Sequence, residues 1–256
     1  MLRAFSTAAT GMTAQQMVVD TIANNLANIN TFGFKRSQID FQDLMYLKIQ
    51  EPDEAAPSGL EIGSGVRPAS TLKVFTQGDG ENTGRNLDVA IQGDGFFQIS
   101  APGGRTLYTR DGSLRLDSKG TLVTSTGYAL SPTIAIPSDA RSISIAPDGT
   151  VSVFSGSSTT PTAVGTITLV RFSNPSGLTS EGRNMLAETP ASGPPITGAA
   201  GQNGFGTLQQ GWVERSNVQM VTELVSLITA QRAYEINSRA IRAGDEMLTT
   251  ANRLIS

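Results

Sequence analysis

Four aspartates, Asp111, Asp117, Asp139 and Asp148, are the residues of this chain best suited by type to general acid and base work. A glycosidase needs two such carboxyls roughly 5–10 Å apart. Each of the four, however, stands beside a turn glycine or at the end of an alternating run, where aspartate serves the backbone. Asp79, Glu81 and Asp88 offer oxygens for calcium, but they lack the Asp-x-Asp-x-Asp-Gly spacing with a distal Glu that closes a cage. Gly93-Asp94-Gly95 and Gly63-Ser64-Gly65 resemble phosphate loops. Neither is followed by a helix or by Lys-Ser/Thr, so the anion site of a helix terminus is missing. Phe96, Phe97, Tyr108 and Tyr128 form a conceivable stacking platform, although core and interface packing is the commoner use of such rings.

The 256 residues include no cysteine and no histidine. That excludes thiol chemistry, disulfides, Cys/His zinc sites, haem ligation by either residue and every triad with a histidine base. It also removes the side chain best suited to proton transfer near neutral pH. The composition points away from an enzyme, and no cofactor and no metal is expected. A net charge of −3 with 16% charged residues gives no basic excess to displace counterions, so no nucleic acid partner is expected. No run of 18 apolar residues exists, so no direct membrane insertion is expected. The start, Met1-Leu2-Arg3-Ala4-Phe5-Ser6-Thr7, lacks the apolar stretch of a secretory signal. The chain either stays in the cytosol or leaves by a route that removes no leader.

The elements that hold these residues follow from a composition that changes along the chain. Residues 1–30 contain no proline and one glycine, 50–210 are rich in Gly, Ser, Thr and Pro, and 215–256 return to a helical composition. Positions 2, 5, 9, 12, 16, 19, 23 and 26 read Leu, Phe, Ala, Met, Gln, Val, Ala, Leu, the spacing of a coiled-coil seam on a helix of 28 residues, about 42 Å long. Near the other end, Ser216 with Gln219 reads as a capping box. After it Leu227, Tyr234, Ile241, Leu248 and Ile255 recur every seven residues, with Glu235–Arg239 and Arg242–Glu246 as i,i+4 pairs. Narrow stripes on two helices from opposite chain ends bury little alone, because isolated helices are marginal in water. These helices are expected to pair with each other and with other copies. Between them, Leu87–Ile91, Leu114–Leu116, Ile143–Ile145, Val151–Val153 and Ile167–Leu169 alternate as antiparallel strands. Pro147-Asp148-Gly149-Thr150 is the clearest hairpin signal.

The fold class expected is α+β: long N- and C-terminal helices forming a coiled-coil-like helical domain, with a central antiparallel all-β domain inserted between them. The expected divisions are 1–35 with 215–256 as a helical polymerisation domain, 36–70 with 190–214 as extended arms or linkers, and 71–189 as the β domain. The helical assembly surface is assigned to Leu2, Phe5, Met12, Val19, Ile22, Leu26, Ile29, Leu224, Leu227, Ile228, Tyr234, Ile241, Leu248 and Ile255.

The segment Ala23-Asn24-Asn25-Leu26-Ala27-Asn28-Ile29-Asn30-Thr31-Phe32-Gly33-Phe34-Lys35 resembles the N-terminal signature of the bacterial flagellar rod and hook axial proteins. Ser216-Asn217-Val218, Glu223-Leu224, Gln231-Arg232-Ala233-Tyr234-Glu235-Ile236-Asn237-Ser238 and Asp245-Glu246-Met247-Leu248 resemble its C-terminal signature. Leu87–Phe97, Tyr108–Ser113 and Gln210–Glu214 match between them, so the likeness spans nearly the whole chain in order. Phe32 and Arg239 depart from the commoner small or polar residue and Lys.

The resemblance implies a structural subunit, not an enzyme, of the flagellar basal body, in the periplasmic rod, exported without a cleavable signal peptide. The length and the segment 57–68 point to the distal part of the rod, with a proximal rod segment as the alternative. The implied partners are further copies in a helical homopolymer, proximal rod proteins, the hook protein, bushing ring proteins of the periplasm and outer membrane, and the type III export apparatus. The implied work is transmission of motor torque. The non-periodic segment 50–70 is a candidate strut between subunits. Two other classes stay open on the residues alone, a secreted β-rich binding protein and a periplasmic carbohydrate hydrolase.

Overall fold

A computed structural model describes residues 2–50, 59–156 and 160–255. The chain divides into two compact units. The first comprises 1–27, 37–73 and 219–256, and the second 28–36 and 74–218.

The first unit is built on α1 (Leu2–Ala27) and α2 (Met220–Ile255), which pack along each other. Small residues set the approach. A Cβ on Gly11 would stand 2.9 Å from the Asn237 amide, and one on Gly244 would stand 2.7 Å from the Phe5 ring. Four strands complete the unit: β1 (Ser37–Asp43), β2 (Leu47–Gln50), β3 (Leu60–Ile62) and β4 (Val66–Lys73). β1 pairs with β4 and β2 with β3, both antiparallel, and α1 lies against β1 and β4. The first pair slips register between Asp40 and Phe41, so that Phe41 faces Pro68. Proline lacks a ladder donor and sits where such an irregularity removes the need for one.

Among the described residues, the second unit carries sixteen strands and the larger core. In chain order they are β5 (Gly80–Asn82), β6 (Val89–Gln92), β7 (Phe96–Ser100), β8 (Thr106–Thr109), β9 (Arg115–Leu116), β10 (Leu122–Val123), β11 (Ala129–Ser131) and β12 (Ala140–Ile145). They continue as β13 (Thr150–Ser155), β14 (Thr162–Thr166), β15 (Thr168–Arg171), β16 (Thr179–Gly182), β17 (Met185–Ala187), β18 (Ile196–Ala199), β19 (Thr207–Gln210) and β20 (Trp212–Glu214). A nine-stranded sheet runs β16-β17-β8-β7-β11-β10-β9, with β15 joining β7 to β18. A three-stranded sheet, β12-β13-β14, and the pairs β6–β19 and β5–β20 complete it, all antiparallel. Val89, Ile91, Phe97, Leu122, Leu130, Val151, Ile167 and Leu169 are fully buried in one cluster. The rings form a second: Phe96 meets Phe75 and Phe172 edge-on at 5.4 and 6.0 Å, and Tyr108 meets Phe172 at 4.8 Å. The Phe96, Phe97 and Tyr108 platform is therefore core.

The α+β reading and the strand-rich centre hold. The Pro147–Thr150 hairpin is as expected: Gly149, at φ +89, donates to Ala146 O at 2.9 Å and closes the turn between β12 and β13. Several boundaries differ from the sequence expectation. α1 ends at Ala27, giving 26 residues instead of 28. α2 starts at Met220, so Ser216 is no helix cap: its Oγ accepts from Val218 N at 3.3 Å in a local turn. The stretch 36–70, read as an arm, contributes β1–β4 to the helical unit, and 190–214 contributes β18–β20 to the second. These strands lie mostly in exposed two-stranded ribbons or beside glycines, so they lack the apolar alternation by which strands are read. Residues 51–58 of the candidate strut lie outside the described residues.

Tyr108 is 2% exposed, and burial, reinforced by the Glu188 carboxylate that its hydroxyl meets at 3.4 Å, pushes its pKa up to about 12. A tyrosine in the unfolded chain ionises near 10. The folded protein thus holds this proton over a pH range where the unfolded chain has released it, and stability falls as pH rises from about 10 to about 12. Ultraviolet titration is expected to show this late tyrosine, and Tyr108→Phe to remove that step alone.

Candidate assembly surface and the buried charge cluster

The sequence-expected chemistry resolves into structural roles. Asp111 Oδ1 accepts from Ser113 N and Oγ at 3.0 and 2.6 Å, and Asp148 Oδ1 from Thr150 N at 3.0 Å. Asp117 and Asp139 bond Ser118 and Ser155. The bonds from Thr150 hold the Asp148 carboxyl below the usual aspartate range, the opposite of what a general acid needs. Asp88, fully buried, is clamped by Arg85 Nε and Nη2 at 2.8 and 2.7 Å, and Glu81 pairs with Arg215 at 3.5 Å. Gly93 and Gly95 take positive φ in the turn between β6 and β7. Among the described residues no group of three or more potential metal ligands occurs, and no helix is long and apolar enough to cross a membrane.

What the fold does concentrate is charge inside the second unit. The segment after α1 and the segment before α2 meet there around Glu214. Lys35 Nζ donates to Glu214 Oε1 at 2.6 Å and to Thr76 O at 2.7 Å. Arg110 Nη1 lies 3.4 Å from Glu214 Oε2, its Nη2 donates to Gly93 O at 2.8 Å, and its guanidinium stands 5.5 Å from the Phe96 ring centre. Lys35, Arg110 and Glu214 are 4%, 5% and 2% exposed. Burial pulls the Lys35 ammonium below the ordinary lysine value against the pull of Glu214, and it pulls Arg110 in the same direction. Arg110 Nε and Nη1 and Glu214 Oε2 make no hydrogen bond, so that arm of the cluster is held by Coulomb attraction alone.

Backbone bonds lace the same segments. Gly33 N donates to Glu214 O at 2.8 Å, Gly78 N to Glu214 Oε1 at 2.9 Å, and Arg36 N to Asn217 Oδ1 at 2.8 Å. Asn217 Nδ2 donates in turn to Val74 O at 2.8 Å and to Thr76. Gly33 takes φ +68, and a Cβ there would lie 2.6 Å from Asp111 N. Glycine alone fits that backbone and that gap.

In the first unit Asn25, 1% exposed, forms a reciprocal pair with Ser37: its Oδ1 accepts from Ser37 N and its Nδ2 donates to Ser37 O, both at 2.9 Å. Its amide also lies 3.4 Å from Glu223 Oε2, a buried carboxylate in the first turn of α2. There it meets the positive end of the helix dipole.

The expected assembly residues separate by burial. Ile22 is buried, Phe5, Met12, Val19, Leu26, Ile29, Leu227, Ile241 and Leu248 are half-buried, and Leu224, Ile228 and Tyr234 are exposed. The side chains of Leu2 and Ile255 lie outside the described residues. On α1 the most buried line is Ala14, Ile22 and Asn25, while the seam positions Ala9, Gln16 and Ala23 stay exposed. Of the motif residues, Asn25, Gly33, Lys35, Ser216 and Val218 are buried, and Asn28, Thr31, Phe34, Asn217 and Asn237 are half-buried. Asn24, Ala27, Gln231, Arg232, Tyr234 and Glu235 are exposed. Glu235 pairs with Arg239 at 3.8 Å.

Sequence reading missed two features. The inward line of α2 is Glu223, Ala230, Asn237 and Gly244, seven apart and small or polar, with Leu227, Ile241 and Leu248 beside it. Diametrically opposite, Val221, Val225, Ile228 and Ile236 are 75%, 59%, 51% and 65% exposed. Both lines follow the helical period, but the inward one carries no hydrophobic signal. A shallow cleft between the helices is lined by Gln16, Val19, Asp20, Gln231, Tyr234 and Glu235. Glu214 and Arg110 lie in segments quoted for the family likeness, but their contact with Lys35 and with each other was not read, because nothing in spacing announces a contact across 179 residues.

Comparison with known proteins gives three family matches. Residues 5–35 match "Flagella basal body rod protein", 90–153 "Flagellar hook protein FlgE/F/G D1 domain", and 209–254 "Flagellar basal body rod FlgEFG protein C-terminal". The chain is 49% identical to the flagellar basal-body rod protein FlgG of Buchnera aphidicola from Acyrthosiphon pisum, over 96% of each chain. It is 47% identical to that of Borreliella burgdorferi over 99% of each, and 43% to that of Caulobacter vibrioides over the full length of both.

Glu214→Gln removes the carboxylate shared by two buried cations, leaving Arg110 only the attraction of Asp94, and is expected to cost about 3–5 kcal/mol of stability. Lys35→Met leaves Glu214 paired with Arg110 and costs less, about 1–3 kcal/mol. Gly33→Ala forces a Cβ into the left-handed region and costs on the order of 1–3 kcal/mol. Denaturant unfolding of the full chain measures all three, and the ranking of Glu214→Gln above Lys35→Met is the decisive part.

Proposed function

The chain belongs to the flagellar basal-body rod and hook protein family, and from that premise we propose that it is the structural subunit of the distal rod. It polymerises into a stiff helical tube that carries motor torque through the periplasm to the hook. The observation that carries this reading is the pair of opposite faces on α2. One side packs on α1 through Ala230, Asn237 and Gly244. The other presents Val221, Leu224, Val225 and Ile228 to water. A helix apolar on a face its own chain leaves bare calls for a second partner, and copies of the same chain supply it. A heterologous contact repeated by rotation and rise gives an open helical filament. In the filament α1 and α2 form the inner, coiled-coil-like wall. Residues 1–35 with 215–256 act as the polymerising part and 71–189 as the outer β part. The partners are then other rod proteins, the hook protein, the surrounding ring and the export apparatus.

The β2–β3 ribbon supports a second role within the same function. Met45, Tyr46, Leu47, Ile49 and Ile62 beside and along it are 40–88% exposed. Exposed apolar ribbon is a liability unless something covers it. It acts as the strut that stiffens the polymer by adding a neighbour contact.

Electron microscopy of concentrated full-length protein is expected to show rods or tubes, and a chain lacking 1–35 and 215–256 to show none. Compact monomers in both samples overturn the polymer reading. Removing 47–62 is expected to leave the β unit folded by circular dichroism while softening the filament; unchanged bending stiffness refutes the strut. Position in the rod is read by locating the tagged chain in isolated basal bodies, next to the hook for the distal reading and next to the inner membrane for a proximal one.

A further inference from the structure

The loop that joins β18 to β19 carries the one Asn-Gly dipeptide of the chain, Asn203-Gly204. Both residues take the left-handed backbone, at φ +50 and φ +79, and Phe205 N donates to Gln202 O at 2.8 Å across them. That is a tight turn of the mirror-image type, which asparagine followed by glycine suits best. Asn203 is exposed, and its side-chain amide makes no hydrogen bond among the described residues. Gly204 N makes none either. Other asparagine amides are committed: Asn25 to Ser37 O, Asn184 to Phe32 O and Asn217 to Val74 O. Each of those is also followed by a larger side chain, Leu26, Met185 or Val218, whereas the nitrogen of Gly204 has no Cβ to shield it.

A cation is set on this turn. Arg171, at the end of β15, donates from Nη1 to Asn203 O at 3.2 Å. Its guanidinium stands 5.5 Å from the centre of the Phe205 ring, and Phe205 belongs to the larger core cluster. A Cβ on Gly204 would lie 2.6 Å from the same Nη1, so the bare glycine is what admits the arginine. The carbonyl that Arg171 holds belongs to the peptide unit whose nitrogen is Gly204 N. When that nitrogen loses its proton, negative charge spreads onto Asn203 O, where the guanidinium stabilises it.

We propose that Asn203 is a site of spontaneous covalent modification, deamidation through a cyclic imide, promoted by Arg171. Gly204 N gives its proton to hydroxide from the solvent and bonds to Asn203 Cγ. The Cγ–Nδ2 bond breaks, and that nitrogen takes a proton from water and leaves as ammonia. Water then opens the ring. Addition at Cγ breaks the new bond and leaves aspartate. Addition at the backbone carbonyl carbon breaks the original peptide bond and leaves isoaspartate, with the chain running through the side chain. Nothing is oxidised or reduced, and one neutral amide becomes one carboxylate beside Arg171. In the isoaspartate product the main chain gains a methylene inside a turn closed by the Gln202–Phe205 bond, so the modification loosens the seat of Phe205 in the core.

The full-length protein is incubated folded in mildly alkaline buffer and, in parallel, unfolded in urea, and the peptide spanning 203 is followed by mass spectrometry. The folded wild type is expected to yield a peptide heavier by about 1 Da that accepts methyl groups from an isoaspartyl methyltransferase. Arg171→Met is expected to slow this about threefold or more in the folded protein and to leave the rate in urea unchanged. A looser turn would speed the reaction, so a slower rate isolates the lost cation. Arg171→Lys keeps the charge and is expected to recover part of the rate. An equal or faster rate in folded Arg171→Met overturns the proposal, as does a folded chain that keeps Asn203 while the unfolded chain loses it. A slowing that persists in urea, or a rate for Arg171→Lys no higher than that of Arg171→Met, also overturns it.

Discussion

Glu214 is buried between Lys35 and Arg110, and the conformation of both chain ends as they enter the second unit depends on that arrangement. Two cations cannot be withdrawn from water without a countercharge, so the carboxylate is obligatory wherever Lys35 and Arg110 are buried. Its backbone is tied as firmly as its side chain: Gly33 donates to its carbonyl and Gly78 to its carboxylate. The bare glycine at 33 is what lets the segment after α1 pass close over Asp111. Asn217 then matches the freed backbone groups of residues 36, 74 and 76 one by one. These backbone groups are thereby paired in a place where strands, loops and helix ends meet without regular ladders, while Arg110 Nε and Nη1 and Glu214 Oε2 stay without a hydrogen bond.

The first unit solves a different problem. Its helices approach through glycine, alanine and asparagine, not through interlocking large side chains. That leaves the large apolar residues of α2 divided between a half-buried line beside the contact and a bare line opposite it. At roughly 25 cal/mol per Å² of apolar area, the exposed aliphatic side chains of α2 hold hydrophobic free energy that the single chain does not realise. The carboxylates that looked catalytic cap turns or close ion pairs.

Much of this was legible in the residues. The terminal helices and the strand-rich centre follow from composition and period, and Pro147-Asp148-Gly149 specified its turn because proline, aspartate and glycine each suit one position of it. The motif residues Asn25, Gly33, Lys35 and Asn217 and several of their partners, Glu214 and Glu223 among them, stood in the segments that carry the resemblance, while the pairing between them was not legible. Helix faces were misjudged where the inward line is small and polar, since period analysis weighs only apolar residues. The start of α2 was misplaced because Ser216 and Gln219 imitate a capping box, while Asn217 is already committed to residues 36, 74 and 76.

The sequence by itself determined the class of molecule: helices at both ends, β structure between, no thiol or imidazole chemistry, and a family likeness carried by motifs along nearly the whole chain. These are local properties, set by side-chain type and short-range spacing. Only the tertiary structure decided which side of α2 stays bare, that β1–β4 form ribbons in the same unit as the helices, and that Lys35 and Arg110 share one carboxylate from position 214. Those depend on long-range contacts, and a buried charge or a small-residue interface leaves no periodic trace in the chain that encodes it.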